Sequence, residues 1–568
     1  MTSTNRPPLH TTLTDHYRIA RHVFLVAAPV GAIVGAAIAA YDYTVNVLLW
    51  EHFTHSFPTE ILCLLPLAGL FLTGLILSTF RVASSSMADE VVKEYHKPDT
   101  GIHYASAAPK LAASIATMGF GASAGMEGAS KWLGGTISSF IQRQLNHFPS
   151  LRWLHGRVET TLLAGASAGI SAIFRAPLTG AIMGIESPYK QDLAHESLMH
   201  ALVAAATSYA TFAFFRPATS YFPIHFSYQL NARDLLICLP LGLAGGLSSH
   251  LFLGLLGRIK RTWAQWRANR ILKLTVGGII VSAIAFASFK TIGAPVTLHS
   301  GLPVANDLLN GKYLLLSCLA IFVAKLLATA FTFGAGGVGG LFVPSATIGA
   351  ALGASFDAVF HPAHPGIFTL IGIAAFTGAS YNSLLFAAVF VAEATGSPAL
   401  VVPSLIASTT AFLVSAGISN SESQRHRRTA GDSTLSNSTC QDWMSTDLVT
   451  AEPHHTIEHF MDRCLYEHSF QELPVVSPDG KYLGMVSQKS LRAVPSDSWP
   501  ITDLTALIDP QACAVHPGDS MAIAEKQLAL DHHDYLPVID PSSGRLLGIL
   551  SGSDIARARQ FAQDATAS

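Results

Sequence analysis

Two glycine-rich segments contain the residue types needed to bind an anion through backbone groups. They are residues 119–130, GFGASAGMEGAS, and residues 334–345, GAGGVGGLFVPS, and apolar sequence precedes and follows each of them. Glycine lets the chain reverse and leaves N–H groups uncovered, and a helix starting there contributes about half a positive charge at its N-terminus. The pattern therefore predicts helix ends that bind an anion.

Neither glycine-rich segment contains lysine or arginine. A full positive charge in a low-dielectric site would hold an anion too tightly for rapid release, so weak, distributed dipoles suit conduction. Two other interpretations exist. The glycines could simply let membrane helices pack closely. They could also form a dinucleotide loop, which is disfavoured because GAGGVGG follows an apolar helix and not a strand.

An acidic residue, Glu127, lies inside the first segment, at the position where the second has Phe342. At membrane depth a carboxylate costs several kcal/mol unless it is paired, protonated or functional. Beside a helix end that attracts anions, the carboxylate could occupy the position of the anion itself. Glu127 is therefore predicted to be a gate that opens on protonation.

The elements that must position these residues are membrane helices. Asp, Glu, Lys and Arg make up 13% of the 568 residues, against about 25% in soluble proteins. Residues 61–80 carry no charge and have about the length needed to cross the hydrocarbon. A soluble enzyme is thereby excluded. Similar apolar stretches are found at 23–40, 198–215, 235–257, 275–289, 326–356, 366–392 and 394–421.

Charge and cysteine patterns narrow the remaining possibilities. Arg18, Arg21 and His22 precede the first apolar stretch, which favours a cytoplasmic N-terminus and a first transmembrane helix over a signal peptide. The net charge of −2 and the lack of a long basic run do not indicate a nucleic-acid partner. The six cysteines lack ligand spacing, so no metal site is expected.

The apolar region contains an internal repeat. Residues 110–130 and 325–345 align without a gap, with 8 of 21 positions identical, and residues 173–186 align with 380–393 in the same order. Duplicated halves are typical of transporters whose substrate site lies near the bilayer midplane, between broken helices of both repeats. A receptor with an inert membrane anchor would need neither this repeat nor Glu127.

The two glycine-rich segments resemble motifs of the CLC family of chloride channels and transporters. The gating motif GxEGP is matched by residues 125–129, with Ala129 in place of proline, and GxFxP is matched completely by residues 340–344. The resemblance implies that Glu127 is the external gate and that the N–H groups of Leu341 and Phe342 hold the central anion. The anion-binding residues so implied are Ser85, Gly125, Met126, Gly128, Gly340, Leu341 and Phe342.

A third family motif, GSGIP, is present in weakened form at residues 84–88, SSSMA, where Ser85 would be the hydroxyl ligand. Glu186 matches the first acid of the family's proton-transfer pair, but Ser187 stands where the second acid is expected. Glu186 is either a buried acid that caps or bridges helices or part of a proton path.

The tyrosine of the family's inner gate is also missing, because only Asn420 or Ser421 is found near its expected position. The missing second acid and the missing tyrosine both favour a channel, and a chloride/proton antiporter is the alternative.

Two halves of the C-terminal region resemble a tandem pair of CBS domains. LPVV at Leu473 aligns with LPVI at Leu536, and the strand that follows is also repeated. The resemblance implies that Ser551 and Asp554 bind the ribose of an adenine nucleotide. The first half has a serine in place of the acid, so at most one good site is expected. A purely structural, dimerising pair is the alternative.

The expected protein is thus an all-α polytopic membrane domain of two inverted-topology repeats, followed by an α/β CBS pair. The resemblance implies a gated chloride channel of the voltage-gated type and not an enzyme. It also implies a homodimer in a prokaryotic plasma membrane, in contact with lipid, with both termini cytoplasmic. The expected divisions are an N-terminal segment 1–16, a membrane domain 17–421 with repeats at about 60–215 and 275–420, a linker 422–439, and CBS domains 440–496 and 501–560 within 440–568.

Overall fold

The computed structural model of the protein has two compact units, Met1–Arg427 and Arg428–Ser568. The predicted N-terminal segment 1–16 and most of the predicted linker lie outside the described residues. The structure describes residues 17, 19–97, 102–217, 220–415, 417–425, 435, 438–462, 472–491, 494–510, 513–530 and 534–567, without the side chains of 530 and 560–567.

The described part of the first unit consists of helices, most of them apolar on all sides, as expected for segments surrounded by lipid and by each other. Seven of the described helices are long and apolar enough to cross a membrane. The first half contains α1 (Ile19–Ser56), α2 (Thr59–Thr79), α3 (Ala88–His96), α4 (Ala107–Gly119), α5 (Glu127–His147), α6 (Val158–Phe174), α7 (Pro177–Glu186) and α8 (Leu198–Phe215). The second half contains α9 (Ala232–Gln265), α10 (Arg270–Ile292), α11 (Leu302–Leu309), α12 (Leu315–Gly334), α13 (Phe342–Phe360), α14 (Ile367–Tyr381), α15 (Leu384–Thr395) and α16 (Val401–Val414).

Two of the long apolar stretches each contain parts of two helices. The stretch 326–356 contains the end of α12 and the start of α13, and the chain between them includes Gly336 at φ 105°. The stretch 366–392 contains α14 and α15, separated at Asn382, whose φ is 50°. A left-handed residue cannot continue a right-handed helix, so each span becomes two shorter helices. The interruptions are those expected of a transporter repeat.

The order of helices repeats, with α1–α8 corresponding to α9–α16, and the matched lysines have matched contacts. Lys110 of α4 donates a hydrogen bond to the Ser86 carbonyl at 3.1 Å, and Lys325 of α12 donates to the His299 carbonyl at 2.8 Å. Each lysine thereby holds the loop that precedes a short helix, α3 or α11. The prediction of a membrane fold built from two repeats is confirmed.

The second unit contains two small antiparallel sheets with the same internal register. Strand β1 (Glu472–Val476) pairs with β2 (Tyr482–Ser487), and β3 (Tyr535–Ile539) pairs with β4 (Leu546–Ser551). Both hairpins have a register shift at the last residue pair of the first strand. The short helices are α17 (Cys440–Trp443), α18 (Ile457–Phe460) and α19 (Gln488–Leu491), and the longer ones are α20 (Met521–Leu530) and α21 (Gly552–Ala567).

Alternate strand residues form a separate buried core in each half of the second unit. Leu473 and Val475 point into one core, and Leu536 and Val538 point into the other. Because the side-chain period of a strand is two, the aligned LPVV and LPVI sequences place the same face inward. This arrangement confirms the prediction of a paired α/β unit.

Candidate functional site

The two glycine-rich segments meet at the contact between the repeats. The backbones of Gly125 and Gly340 form an antiparallel bridge, in which the Gly125 N–H donates at 2.7 Å and the Gly340 N–H donates at 2.6 Å. Glu127 is the first residue of α5, and Phe342 is the first residue of α13. The bridge therefore places two helix N-termini next to each other.

The carboxylate of Glu127 lies at the N-terminus of α13. Its Oε1 atom accepts a hydrogen bond from the backbone N–H of Phe342. Its Oε2 atom is buried and has no hydrogen-bond partner among the described residues, and the residue as a whole is 2% exposed. The N–H groups and dipole of a helix N-terminus stabilise negative charge there. A carboxylate thus occupies the place expected for an anion.

A side chain at Gly125 or Gly340 would displace this carboxylate from its position. A Cβ atom on Gly125 would lie 2.1 Å from Oε2 of Glu127, and one on Gly340 would lie 2.2 Å from Oε1. A Cβ atom on Gly128 would lie 2.6 Å from the carbonyl oxygen of Gly339. The glycines therefore allow the two repeats to pack closely and also allow the backbone to approach the carboxylate.

A cavity of about 130 Å³, here called the central cavity, contacts Glu127. Of the residues predicted to surround the anion, Ser85, Gly128, Gly340 and Leu341 line it together with Glu127. Gly125, Met126 and Phe342 do not line it. The thioether of Met126 accepts a hydrogen bond from the Asn46 side chain of α1 at 3.5 Å, so this side chain faces a neighbouring helix.

The segment that carries Ser85 is held from two sides. Lys110 binds the Ser86 carbonyl and also forms a buried ion pair with Glu90 of α3. Arg270, the first residue of α10, donates hydrogen bonds to the carbonyl groups of Val82 and Ala83. These contacts fix the loop against the central cavity although it lacks the glycines and proline of the family motif.

Several residues that line the central cavity were given no role from the sequence, and Lys131 and Tyr381 are two of them. The glycine-rich segments contain no basic residue, but Lys131 follows Glu127 by one helical turn on α5 and lines the same cavity. Tyr381, the last residue of α14, lines it as well, with its ring 5.7 Å from that of Phe342. The four-residue spacing from Glu127 was a usable signal for Lys131. For Tyr381, the signal was its alignment with Phe174 in the repeat.

Glu186 caps a helix of the other repeat. Its carboxylate accepts hydrogen bonds from the Ser383 hydroxyl at 2.5 Å and from the N–H groups of Leu385 and Phe386 at 3.2 and 3.0 Å, at the start of α15. Its repeat partner, Glu393, accepts from the N–H groups at the start of α7 in the same way. Reciprocal caps of this kind stabilise both helix ends.

Ser187, Asn420 and Ser421 all line the central cavity. The Ser187 hydroxyl donates to the Gly184 carbonyl at 3.0 Å, which is a contact within its own turn. The Ser421 hydroxyl donates to Asp89 at 2.5 Å. The Asn420 N–H donates to the Ser380 carbonyl at 3.0 Å, so Tyr381, the last residue of α14, lies near the position expected for the inner-gate tyrosine.

In the second unit, Ser551 and Asp554 bind each other. The Asp554 carboxylate accepts hydrogen bonds from the N–H and hydroxyl of Ser551, at 2.8 and 2.6 Å, and pairs with Arg557. This is a capping box at the start of α21. In the first half, Ser490 takes the place of Asp554, and its hydroxyl donates to the Ser487 carbonyl at 2.7 Å. That half therefore has no carboxylate at the matched position.

Comparison with known proteins identifies the family. Residues 68–416 match the family described as voltage gated chloride channel, and residues 440–497 and 505–560 match the CBS domain. The chain is 29% identical over 358 residues to a "Putative chloride channel protein ClcB-like" of Ralstonia nicotianae, which covers 62% of this chain and 81% of that protein.

Solved structures share the fold. A slow cyanobacterial Cl⁻/H⁺ antiporter has a TM-score of 0.60 and 18% identity, covering 69% of this chain and 94% of its own. A eukaryotic CLC transporter has a TM-score of 0.60 and 19% identity, covering 95% of this chain and 98% of its own. These matches confirm the resemblance: the chain belongs to the CLC family, is an integral multi-pass membrane protein that transports anions, and carries a tandem CBS pair.

Proposed function

We propose that the protein conducts chloride passively through a pathway gated by Glu127. The observation that supports this most directly is the Glu127 carboxylate at the N-terminus of α13, with one buried oxygen that has no partner among the described residues. A carboxylate and a chloride ion compete for the same N–H groups because both are stabilised by the same dipoles. Protonation removes the charge of Glu127, weakens its hold on the helix end and lets chloride enter.

Proton-coupled exchange would need a second acid that carries protons between Glu127 and the cytoplasm. Ser187 cannot hold a proton as a charge near neutral pH, because it is a hydroxyl. Glu186 accepts hydrogen bonds from Ser383, Leu385 and Phe386, and leaving that cap would cost all of them. Both features support passive conduction.

Chloride/proton exchange is the second candidate, and Tyr381 favours it. Exchange requires that the two ends of the pathway never open together. The absence of the family's inner-gate tyrosine from its expected position argued against a barrier at the cytoplasmic end. Tyr381 lines the central cavity, as does Asn420. Water in that cavity could also bring protons to Glu127 without a second acid. The structure of similar fold described as a Cl⁻/H⁺ antiporter agrees with this alternative.

Passive conduction predicts a reversal potential that depends on chloride alone. In liposomes or planar bilayers, the potential should follow the chloride gradient and stay constant when a pH gradient is imposed at fixed chloride. Simultaneous recording of pH should show no proton movement against its gradient. A shift with the pH gradient, or uphill proton movement driven by chloride, would establish the antiporter.

We further propose that an adenine nucleotide binds the second CBS half at Ser551 and Asp554. A ribose hydroxyl would replace the Ser551 hydroxyl on the Asp554 carboxylate at the start of α21. Because hydrogen bonds to a charged group contribute about 1.5–3 kcal/mol, Asp554→Ala should weaken binding about tenfold or more. Calorimetry of the full-length protein with AMP, ADP and ATP measures this.

The matched control for Asp554 is Asp442→Ala. Asp442 accepts from the N–H and hydroxyl of Thr439, at 2.9 and 2.7 Å, so it forms the same capping box without the nucleotide motif. It should lose a similar amount of helix stability and keep nucleotide affinity. No heat with any of the three nucleotides would leave the CBS pair a structural unit.

The assembly and placement of the protein complete the proposal. A homodimer with one pathway in each subunit, the plasma membrane and cytoplasmic termini rest on the family resemblance and on the basic residues ahead of α1. With a cytoplasmic C-terminus, the end of the central cavity at Ser421 faces the cytoplasm.

A further inference from the structure

The turn between α9 and α10 carries a cluster of positive charge. Residues 258–273, RIKRTWAQWRANRILK, contain six lysine and arginine residues and no aspartate or glutamate. Apolar and aromatic residues separate the cations, so they form no continuous basic run. Four of the six are exposed and are here called the basic turn: Arg258, Lys260, Arg261 and Arg267.

The basic turn begins where the apolar part of α9 ends. α9 has 34 residues, and at 1.5 Å per residue such a helix is about 51 Å long, against a hydrocarbon core of about 30 Å. Residues 235–257 carry no Asp, Glu, Lys or Arg and are long enough to cross that core. The last two turns of α9, from Arg258 to Gln265, therefore extend into the layer of lipid headgroups.

Three arginines of the basic turn have no acidic partner within the described part of the chain. Arg258 and Arg267 form no hydrogen bond or ion pair there. Arg261 donates from Nε to a carbonyl of its own helix, at 3.3 Å. Lys260 lies 4.0 Å from Glu422, whose side chain is 84% exposed. Because a guanidinium group offers a planar fork of donors that fits phosphate oxygens, these arginines can bind an anionic group outside the chain.

Contacts around the basic turn hold its backbone in place. The indole N–H of Trp263 donates to the Lys273 carbonyl at 3.2 Å, which joins the end of α9 to α10. The Asn269 side chain accepts from the Leu272 N–H at 2.8 Å and caps α10. Trp266 is 40% exposed, with its ring 6.2 Å from that of Trp263. Exposed tryptophan beside cations is typical of a surface at the membrane–water interface.

We propose that the basic turn binds the phosphate headgroup of an anionic phospholipid, such as phosphatidylglycerol. The position of the cations at the end of a membrane-crossing helix and the neighbouring tryptophans favour a lipid over a soluble acidic partner. Lys260 lies beside Glu422, at the end of the central cavity assigned above to the cytoplasm, so the lipid belongs to the cytoplasmic leaflet. The choice of leaflet rests on the proposed orientation, whereas the binding itself does not.

Titration of the purified full-length protein in a neutral detergent tests this, with phosphatidylglycerol and phosphatidylcholine of the same acyl chains as probes. Native mass spectrometry counts the bound lipid, and phosphatidylglycerol should bind at least about tenfold more tightly. Arg258→Gln and Arg267→Gln should each weaken phosphatidylglycerol binding about fivefold, the usual contribution of one cation near a membrane surface, and leave phosphatidylcholine binding unchanged. The preference should fall as salt is raised, since salt screens exposed charges.

The matched control is Arg233→Gln. Arg233 lies at the opposite end of α9 and donates to the Phe360 carbonyl at 2.6 Å. This variant should bind phosphatidylglycerol as the native protein does. A loss equal to that of Arg258→Gln would overturn the proposal, because any arginine near the membrane would then have the same effect.

Other outcomes would contradict the lipid site directly. Equal affinity for the two lipids would mean that the basic turn serves only to orient the chain in the membrane. Native affinity in both Arg258→Gln and Arg267→Gln would also refute the site. Equally tight binding of glycerol 3-phosphate would indicate a soluble phosphate ligand instead. If either variant does not fold, an unchanged preference of the native protein in high salt refutes the proposal. The measurement is binding alone, so the transport mechanism does not affect its result.

Discussion

Glu127→Gln should conduct chloride at least as fast as the native protein, and its flux should lose most of its dependence on pH. Glutamine has the shape of the protonated glutamate but carries no charge to compete for the N–H of Phe342. The helix end is then open to chloride at every pH. Chloride efflux from liposomes, measured between about pH 4.5 and 7.5 around the ordinary range of a carboxyl group, gives the comparison.

The control is Glu393→Gln, which changes another glutamate bound at a helix N-terminus. Glu393 accepts from the N–H groups of Leu178 and Thr179, at 3.1 and 2.8 Å, and does not line the central cavity. It should lower thermal stability while the pH dependence of flux remains. If Glu127→Gln were folded and dimeric but conducted nothing, Glu127 would have a structural role and the gate would lie elsewhere.

Lys110→Met should lower the free energy of unfolding by about 3–5 kcal/mol, because it leaves the Glu90 carboxylate buried without its cation. The side chains of this ion pair are 2% and 12% exposed. Within the described part of the chain, Glu90 would retain the hydrogen bond from the indole N–H of Trp132, at 3.0 Å. Unfolding in detergent, followed by heat or denaturant, measures the loss. The loop with Ser85 would also lose its contact to Lys110, so anion flux should fall.

Lys312→Met gives the matched control for this stability effect. The side chains of the Lys312–Asp307 pair are 61% and 35% exposed, and such surface pairs contribute about 0–1 kcal/mol. The double variant Lys110→Met with Glu90→Gln should recover part of the loss, since the uncompensated charge is gone. A loss below about 1 kcal/mol in Lys110→Met would mean that the ion pair does not hold the loop.

Much of the architecture could be predicted from the sequence, because the length of each apolar stretch and the internal repeat are found directly in it. The composition predicted membrane spans, and the gapless match of residues 110–130 with 325–345 predicted two repeats and the segments where they meet. The glycine-rich segment 334–345 predicted the helix ends within 326–356, whereas 366–392 was predicted as one membrane span, which was wrong. Hydropathy averages over a window, whereas a single residue with positive φ, such as Asn382, ends a helix.

Glu186 shows what one sequence could not decide. As a buried acid in an apolar segment, it fitted both a helix cap and a proton path. The structure places its carboxylate on the N–H groups that open α15, and it places Glu393 on those that open α7. Each partner lies about 200 residues away in the chain, so no local pattern identifies it.

The sequence by itself determined the membrane class, the duplication, the CBS pair and the glycine-rich segments with their single acid. Those features depend on residue type, spacing and period, which one chain contains in full. Only the tertiary structure decided that the carboxylate of Glu127 lies on the N–H of Phe342 and that Glu127, Lys131, Tyr381 and Asn420 line one cavity. Contacts between repeats depend on how distant helix ends pack, and packing acts through space between residues that the sequence separates.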